Sequence, residues 1–419
     1  MVRGLLSTYF PPLPRSVVTL QAGGLVNSFG NGMVIPFMFI YLHNVRGIGL
    51  GVVGLILAAH AVASIVAGPV FGSQIDRFGG KVMLALSLVI LAVGYAGYVF
   101  VHEPWEGFVV AAVSGIGVGG FWPSQSTLIA GLTPSEQRPA AFAMQRVVMS
   151  VGIGLGALAG GVIAATDSPS TFAVLFLLDA VTFLAYGAVM LALVPSPSRG
   201  TSAHDRGAPV SYRQVLGHGA FVVVIALNAL FIFAGFSGFD VLPVYAKNEA
   251  GLTELQIGLL FLVNTVVIVV AQLPIARLAR GRRRMRTLAL LGLCWAAGWF
   301  VVPLAGARPD AAMALLVLVM VAFALGQCLH GAVAAPLVAD LAEPRLLGRY
   351  MALNALSWQI GFALGPALGG FGLAVSPTGV WVAAGALCVL GAGCALVVES
   401  RLPARARRTP TSVPASASV

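Results

Sequence analysis

Apolar stretches of about twenty residues or more, separated by short polar connections, recur along the whole chain. We read twelve: 17–42, 50–72, 82–101, 107–132, 139–165, 170–194, 218–246, 254–276, 287–305, 311–340, 350–374 and 377–398. Each is long enough to cross roughly 30 Å of hydrocarbon as a helix. Lipid offers the backbone no hydrogen-bond partners, so a span must close its own bonds. The pattern therefore predicts an all-α protein of twelve transmembrane helices.

Composition agrees. Hydrophobic residues make up 58% of the 419 and charged residues 9%, where a soluble domain needs about a quarter charged. The few charges are unevenly placed. With both termini on the cytoplasmic side, Arg46, Lys247 and Arg308 are the only outside Lys or Arg, and the other twenty-one of 24 fall inside or near inner helix ends. This is the positive-inside bias, and it predicts a multi-pass protein of the cytoplasmic (plasma) membrane, its basic loops lying against anionic lipid. The net charge of +10 is then no sign of nucleic-acid binding, which wants basic and aromatic side chains on one solvated face. Cys294, Cys328, Cys388 and Cys394 lie inside apolar spans without paired spacing, so they read as small buried hydrophobes, not a disulfide frame or a metal site. No removable signal peptide is needed, because the first apolar span doubles as the first helix.

The longest internal connection, about 195–217, is rich in Pro, Gly and Ser and reads as a flexible loop. It sets the expected organisation: a six-helix bundle over 1–195, a cytoplasmic linker over 196–217, a second bundle over 218–402 and a disordered tail over 403–419. The halves resemble each other. Gly152–Gly161 overlays Gly361–Gly370 with a shift of 209, and the connection after span two overlays that after span eight with a shift of 204. Such duplication is the mark of transporters built from two pseudo-symmetric bundles.

Three motifs follow. The second connection carries Gly72, Asp76, Arg77, Gly79, Gly80 and Lys81. Gly72 would let a helix approach closely, Asp76 would cap a helix or pair with Arg, and Gly79 and Gly80 would permit the turn. Arg77 and Lys81 would hold the turn at anionic head groups. Span five carries Gly152, Gly156, Gly160 and Gly161, with Ala157 among them; span eleven carries Gly361, Gly365, Pro366, Gly369 and Gly370. Small residues four apart suit backbone-to-backbone packing. The loop G-x-x-x-D-R-x-G-x-K at this topological position is similar to the signature loop of the major facilitator superfamily, and span five resembles that family's antiporter motif, except that Ala157 stands where the family has proline. The resemblance covers about residues 17–400. It implies a loop that latches the bundles in the outward-facing state, a cavity lined by helices one, four, seven and ten, and a glycine motif associated with exporters. Two departures stand out: Arg280 and Arg283 occupy the second-half positions of Asp76 and Gly79, and span four (Ala111–Gly120) lacks the family's arginine.

Ionisable groups at membrane depth are costly and need a reason. On the helices expected to line the cavity the polar candidates are Asn27 and Asn31, Trp122 and Gln125, Asn228, Gln327 and His330. Candidates for proton coupling are Asp240, His330 and Asp179, with Arg146 as a possible intrabundle partner of Asp179; His60 reads as structural. Nothing fits a phosphate-binding loop, a metal spacing or a nucleophile constellation, so the chain reads as a non-enzymatic carrier without a cofactor, a monomer whose partners are a small solute, protons and lipid. The expected function is export of small hydrophobic or amphipathic compounds, drug-like ones among them, in exchange for protons. The alternatives are an importer or facilitator of a neutral solute such as a sugar, and a non-transporting membrane sensor.

Overall fold

The computed structural model describes residues 13–134, 137–196, 212–343 and 346–409. Among these residues twelve helices are long and apolar enough to span a membrane: α1 Arg15–Val45, α2 Leu50–Phe78, α3 Gly80–Phe100, α4 Pro104–Leu132, α5 Ala140–Ile163, α6 Pro169–Leu193, α7 Gly219–Asn248, α8 Glu254–Leu278, α9 Arg284–Ala307, α10 Ala312–Leu341, α11 Arg349–Val375 and α12 Gly379–Arg401. The protein is an all-α membrane protein. Large apolar side chains such as Val66, Val162, Val375 and Val397 are more than two-thirds exposed, a surface suited to lipid and not to water.

Two helices are irregular where the sequence showed only an apolar run. In α1 a 3-10 turn at Ile35–Phe37, which carries Pro36, precedes a π-helical turn at Tyr41–Val45. In α7 a π-helical turn occupies Ile232–Phe236. The matching α1 and α7 thus both carry a π turn, a feature frequent at functional sites.

The chain divides into two compact units, residues 1–48 with 59–204 and residues 49–58 with 205–419. In the first, α1 packs on α5 and α6, and α3 on α4 and α6. In the second, α7 packs on α11 and α12, and α9 on α10 and α12. Adding six to each helix number converts one set of pairs into the other, so each unit repeats one six-helix plan. The first turns of α2 belong to the second unit, not the first. A Cβ on Gly54 would strike the Pro366 carbonyl, and one on Gly51 would lie 2.5 Å from the Phe371 ring, so glycines let this segment lie directly on α11.

Each unit also fastens its second connection to the end of its sixth helix. In the first, the Lys81 ammonium donates to the carbonyls of Leu191 (2.9 Å) and Val194 (2.5 Å) at the end of α6, where a cation suits the helix dipole. In the second, Glu399 at the end of α12 pairs with Arg283 at 3.2 Å and Arg286 at 3.9 Å.

The expected linker and tail differ in part from what is found. Tyr212–Leu216 forms a short helix, while 197–211 of the linker lie outside the described residues. The tail expected to be disordered from 403 is ordered over 403–409: Ala404–Ala406 is a 3-10 turn, Leu402 and Ala406 are buried, and the backbone pairs with the α8–α9 connection. Apolar Leu402 and Ala406 among the arginines give the segment a side to bury. Residues 410–419 lie outside the described residues.

Candidate functional site

In the first unit the polar candidates gather around α1. Asn27 is buried on α1, and Asn31 donates from Nδ2 to the Asn27 carbonyl at 3.0 Å. The Asn27 Oδ1 is buried without a hydrogen-bond partner. Gln125 of α4 donates to the Tyr186 hydroxyl of α6 at 2.9 Å and accepts from Gln145 of α5. Gly23 makes room for the Tyr186 ring: a Cβ there would lie 2.5 Å from it. Three helices thus supply one uncharged chain, Gln145 to Gln125 to Tyr186. Gln145 and Tyr186 were missed in the sequence, where a Gln or Tyr in an apolar run carries no spacing signal. Trp122, by contrast, is exposed and stands edge-on to Phe121 at 5.1 Å.

Asp179 on α6 is fully buried. Its Oδ1 accepts from the Thr182 hydroxyl at 3.1 Å and its Oδ2 has no partner. Gly30 of α1 faces it; a Cβ there would collide with Thr182 and the Asp179 carboxyl. No ion pair joins Asp179 to Arg146, whose side chain is exposed, so the proposed intrabundle pair is absent. The Asp179 carboxyl is instead enclosed against α1 at Gly30, while Arg146, about two turns into α5, is exposed.

In the second unit α7, α10 and α11 meet at a polar chain whose direction can be read. Ser357 donates to the Asn354 carbonyl at 2.7 Å. Its oxygen therefore accepts from Asn228 Nδ2, also at 2.7 Å. That fixes the amide, so Asn228 Oδ1 is the acceptor facing His330 Nε2 at 2.8 Å. Nε2 must then carry a proton. The His330 imidazole lies parallel to Trp295 (centroids 6.5 Å) and edge-on to Trp358 (5.2 Å). Further rings, Phe236, Phe239 and Phe362, are half-buried; Phe236 lies 5.3 Å from Trp358 and 5.7 Å from Phe362. A cleft with room for about one water adjoins the chain, lined by Asn228, Asn354, Phe231, Leu288 and Leu337 among others. The structure brings Asn228 and His330 together; Ser357 was missed, since a serine on an apolar helix more often bonds its own backbone. Gln327 lies one turn before His330 and is half-buried. Asp240 lies on α7 beyond the π turn, half-buried and in no ion pair among the described residues. His60 Nε2 is buried without a partner.

The glycine motifs lie between equivalent helices. On α5, a Cβ at Gly152 would lie 2.5 Å from Ser28, one at Gly156 would strike the Phe29 carbonyl, and one at Gly160 would lie 2.6 Å from the Met33 carbonyl, all on α1; Gly161 is buried. On α11, Gly361 faces Ile232, Gly365 faces Ser237 and Gly369 faces Val241 of α7, while Gly370 and Pro366 face the start of α2. In the loop motif, Gly79 immediately precedes α3 with φ +87°, a backbone open mainly to glycine. A Cβ on Gly80 would sit 3.0 Å from the Ser124 carbonyl. Gly72 faces open space, so close packing does not account for it in this structure. Among the described residues Asp76 caps no helix and forms no ion pair; it lies exposed inside α2, and Arg77 sits over the Phe78 ring at 5.0 Å.

The family model described as Major Facilitator Superfamily matches residues 21–329 and 241–418. The chain belongs to the major facilitator superfamily: it is an integral membrane transporter, not an enzyme. It is 26% identical over 357 residues to an uncharacterized MFS-type transporter, YqjV, of Bacillus subtilis (strain 168), covering 84% of this chain and 85% of that one. It is also 26% identical over 345 residues to the multidrug resistance protein MdtH of Salmonella typhimurium, covering 81% and 82%. Among solved structures it matches a D-xylose-proton symporter with TM-score 0.72 at 17% identity, covering 93% and 98%. A bacterial homolog of the human lysosomal transporter Spinster matches with TM-score 0.74 at 14% identity, covering 94% and 98%. Both show the fold.

Proposed function

We propose that this transporter exports small hydrophobic or amphipathic compounds in exchange for protons, by alternating access. The observation that carries the reading is the second unit's polar chain, which is uncharged and set among aromatic rings: His330 between Trp295 and Trp358, with Phe236 and Phe362 beside them. Such a wall binds apolar and aromatic surface and offers few polar contacts for orientation. No Lys or Arg lies deep in α1, α4, α7 or α10, so a dedicated anion carrier would lack its counter-charge. The multidrug relative supports the same direction.

Coupling to protons needs a group that titrates as its exposure changes. We place it at His330 or Asp240 ahead of Asp179. His330 ties α10 to α7 through Asn228, so a change in its proton alters a contact between two helices. We assign the loop motif a share in the balance between conformations.

The test uses everted vesicles of an efflux-deficient host with a lipophilic fluorescent cation. Wild type should accumulate the dye against its gradient, and an uncoupler should abolish this. His330→Gln, Asp240→Asn and Asp179→Asn are then compared, the coupling residue losing uphill flux while keeping downhill exchange. Uphill flux in all three variants, or wild-type indifference to an imposed pH gradient, would replace antiport with facilitated movement of a neutral solute. Binding without flux would point to a sensor.

A further inference from the structure

The ordered C-terminal strap has no counterpart in the activity proposed above. Residues 407–409 lie antiparallel to 281–284. Thr409 donates to the Arg282 carbonyl at 3.1 Å, Gly281 to the Thr409 carbonyl at 3.0 Å and Arg284 to the Arg407 carbonyl at 2.8 Å, with Arg283 bridged to Arg408. Gly281, at φ +69°, makes the turn. The strap adjoins Arg284, whose side chain is 0% exposed and pairs with Asp340 of α10, while its Nε and Nη1 lack partners.

This docking gathers like charge. Arg277, Arg280, Arg282, Arg283 and Arg286 on one side and Arg401, Arg407 and Arg408 on the other are all exposed. Glu399 is the one carboxylate paired to them among the described residues, and it takes only Arg283 and Arg286. Side chains opposed in an antiparallel bridge stand about 4.5–5.5 Å apart at Cβ, and like charges there repel. The backbone pairing is therefore made against electrostatic repulsion, with the Arg407 and Arg408 side chains donating to carbonyls. Something anionic at this face would remove the opposition.

Its place in the fold says what. Leu278, Leu396 and Val397 are exposed apolar side chains within a turn or so of these arginines. Hydrocarbon-facing surface thus ends where the arginines begin, the level of lipid head groups. Guanidinium pairs with phosphate oxygens in two-pronged geometry, and clustered arginine beside a membrane helix suits anionic lipid.

We propose that the arginine face formed by residues 277–286 and 401–408 is a docking surface for the phosphodiester head groups of anionic phospholipid, and that this lipid holds the C-terminal strap closed over the α8–α9 connection. The lipid need not touch the transported solute, so the proposal stands apart from the direction and substrate of transport.

The experiment is hydrogen exchange on the full-length protein in nanodiscs of phosphatidylcholine alone or with added phosphatidylglycerol. Amides of 281–284 and 407–409 should exchange about tenfold more slowly with phosphatidylglycerol. Molar salt, with a screening length of about 3 Å, should erase the difference. A variant with Arg280→Gln, Arg282→Gln and Arg408→Gln should be protected already in phosphatidylcholine and gain nothing from phosphatidylglycerol. Equal exchange of wild type in the two lipids would overturn the proposal. So would equal protection by inorganic phosphate in phosphatidylcholine discs, which would make this a soluble-anion site, or a variant still responsive to phosphatidylglycerol. Should the variant fail to fold, the wild-type lipid comparison and the phosphate control decide alone.

Discussion

His330 and Asn228 show how one amide can order a membrane helix bundle. Asn228 is both acceptor from His330 and donor to Ser357, and in an apolar interior a polar group left without its partner costs more than the bond contributes. Asn228→Ala should therefore destabilise the protein by about 1–3 kcal/mol, seen as a lower melting midpoint in detergent. His330→Gln keeps an N–H for Asn228 Oδ1 and should melt close to wild type, so a loss of uphill flux in that variant reports chemistry and not misfolding. Asp179 gives the complementary case. It has one hydroxyl partner and no counter-ion, and an unpaired charge is expensive at that depth. The neutral isostere Asp179→Asn should fold with a midpoint near wild type; a large drop would mean that a charged carboxylate is being stabilised there.

At the scale of elements, glycine decides which helices touch. Gly156 abuts backbone atoms of α1, so even a methyl group has nowhere to go. Gly156→Ala should already lower yield and monodispersity, overpacking of this kind costing about 1–3 kcal/mol, and Gly156→Leu more. Gly72→Ala meets open space and should fold normally; if its flux nevertheless falls, the loop acts on the conformational equilibrium, as Asp76→Asn would test independently. The α9–α10 tie offers a sharper contrast. Asp340→Ala leaves the buried Arg284 guanidinium uncompensated and should cost more than Arg284→Met, which removes the charge that needs a partner. Because Asp340 is itself partly exposed, the loss should fall at the low end of about 3–5 kcal/mol. Thermal melts of the two variants and their combination provide the cycle.

The whole molecule makes its own claim, on orientation. The distribution of Lys and Arg is expected to hold both termini in the cytoplasm. On a background without Cys294, Cys328, Cys388 and Cys394, a cysteine at Glu103 or Arg308 should react with an impermeant thiol reagent in intact cells, and one at Arg280 should not. Reaction at Arg280 from outside would reverse the topology, and with it the direction of transport inferred here.

The sequence by itself settled what depends on solvent and on local backbone. Apolar length set the spans because lipid leaves a helix no other way to satisfy its peptide groups. Gly79 was readable because a turn between two membrane helices needs a positive φ. The internal shift exposed the duplication that the matching helix pairs of the two units repeat. Tertiary structure alone decided partners. Helices that are apolar nearly all round carry little information about their rotation, so nothing in the chain said that Gln145 and Tyr186 would meet Gln125, that Ser357 would complete the His330 chain, or that Asp179 would face Gly30 instead of Arg146. The strap is the plainest case. Its composition resembles that of a disordered tail, and it is ordered because Leu402 and Ala406 find burial and its backbone finds a free edge at residues 281–284, an opportunity created only once the helices had been brought together.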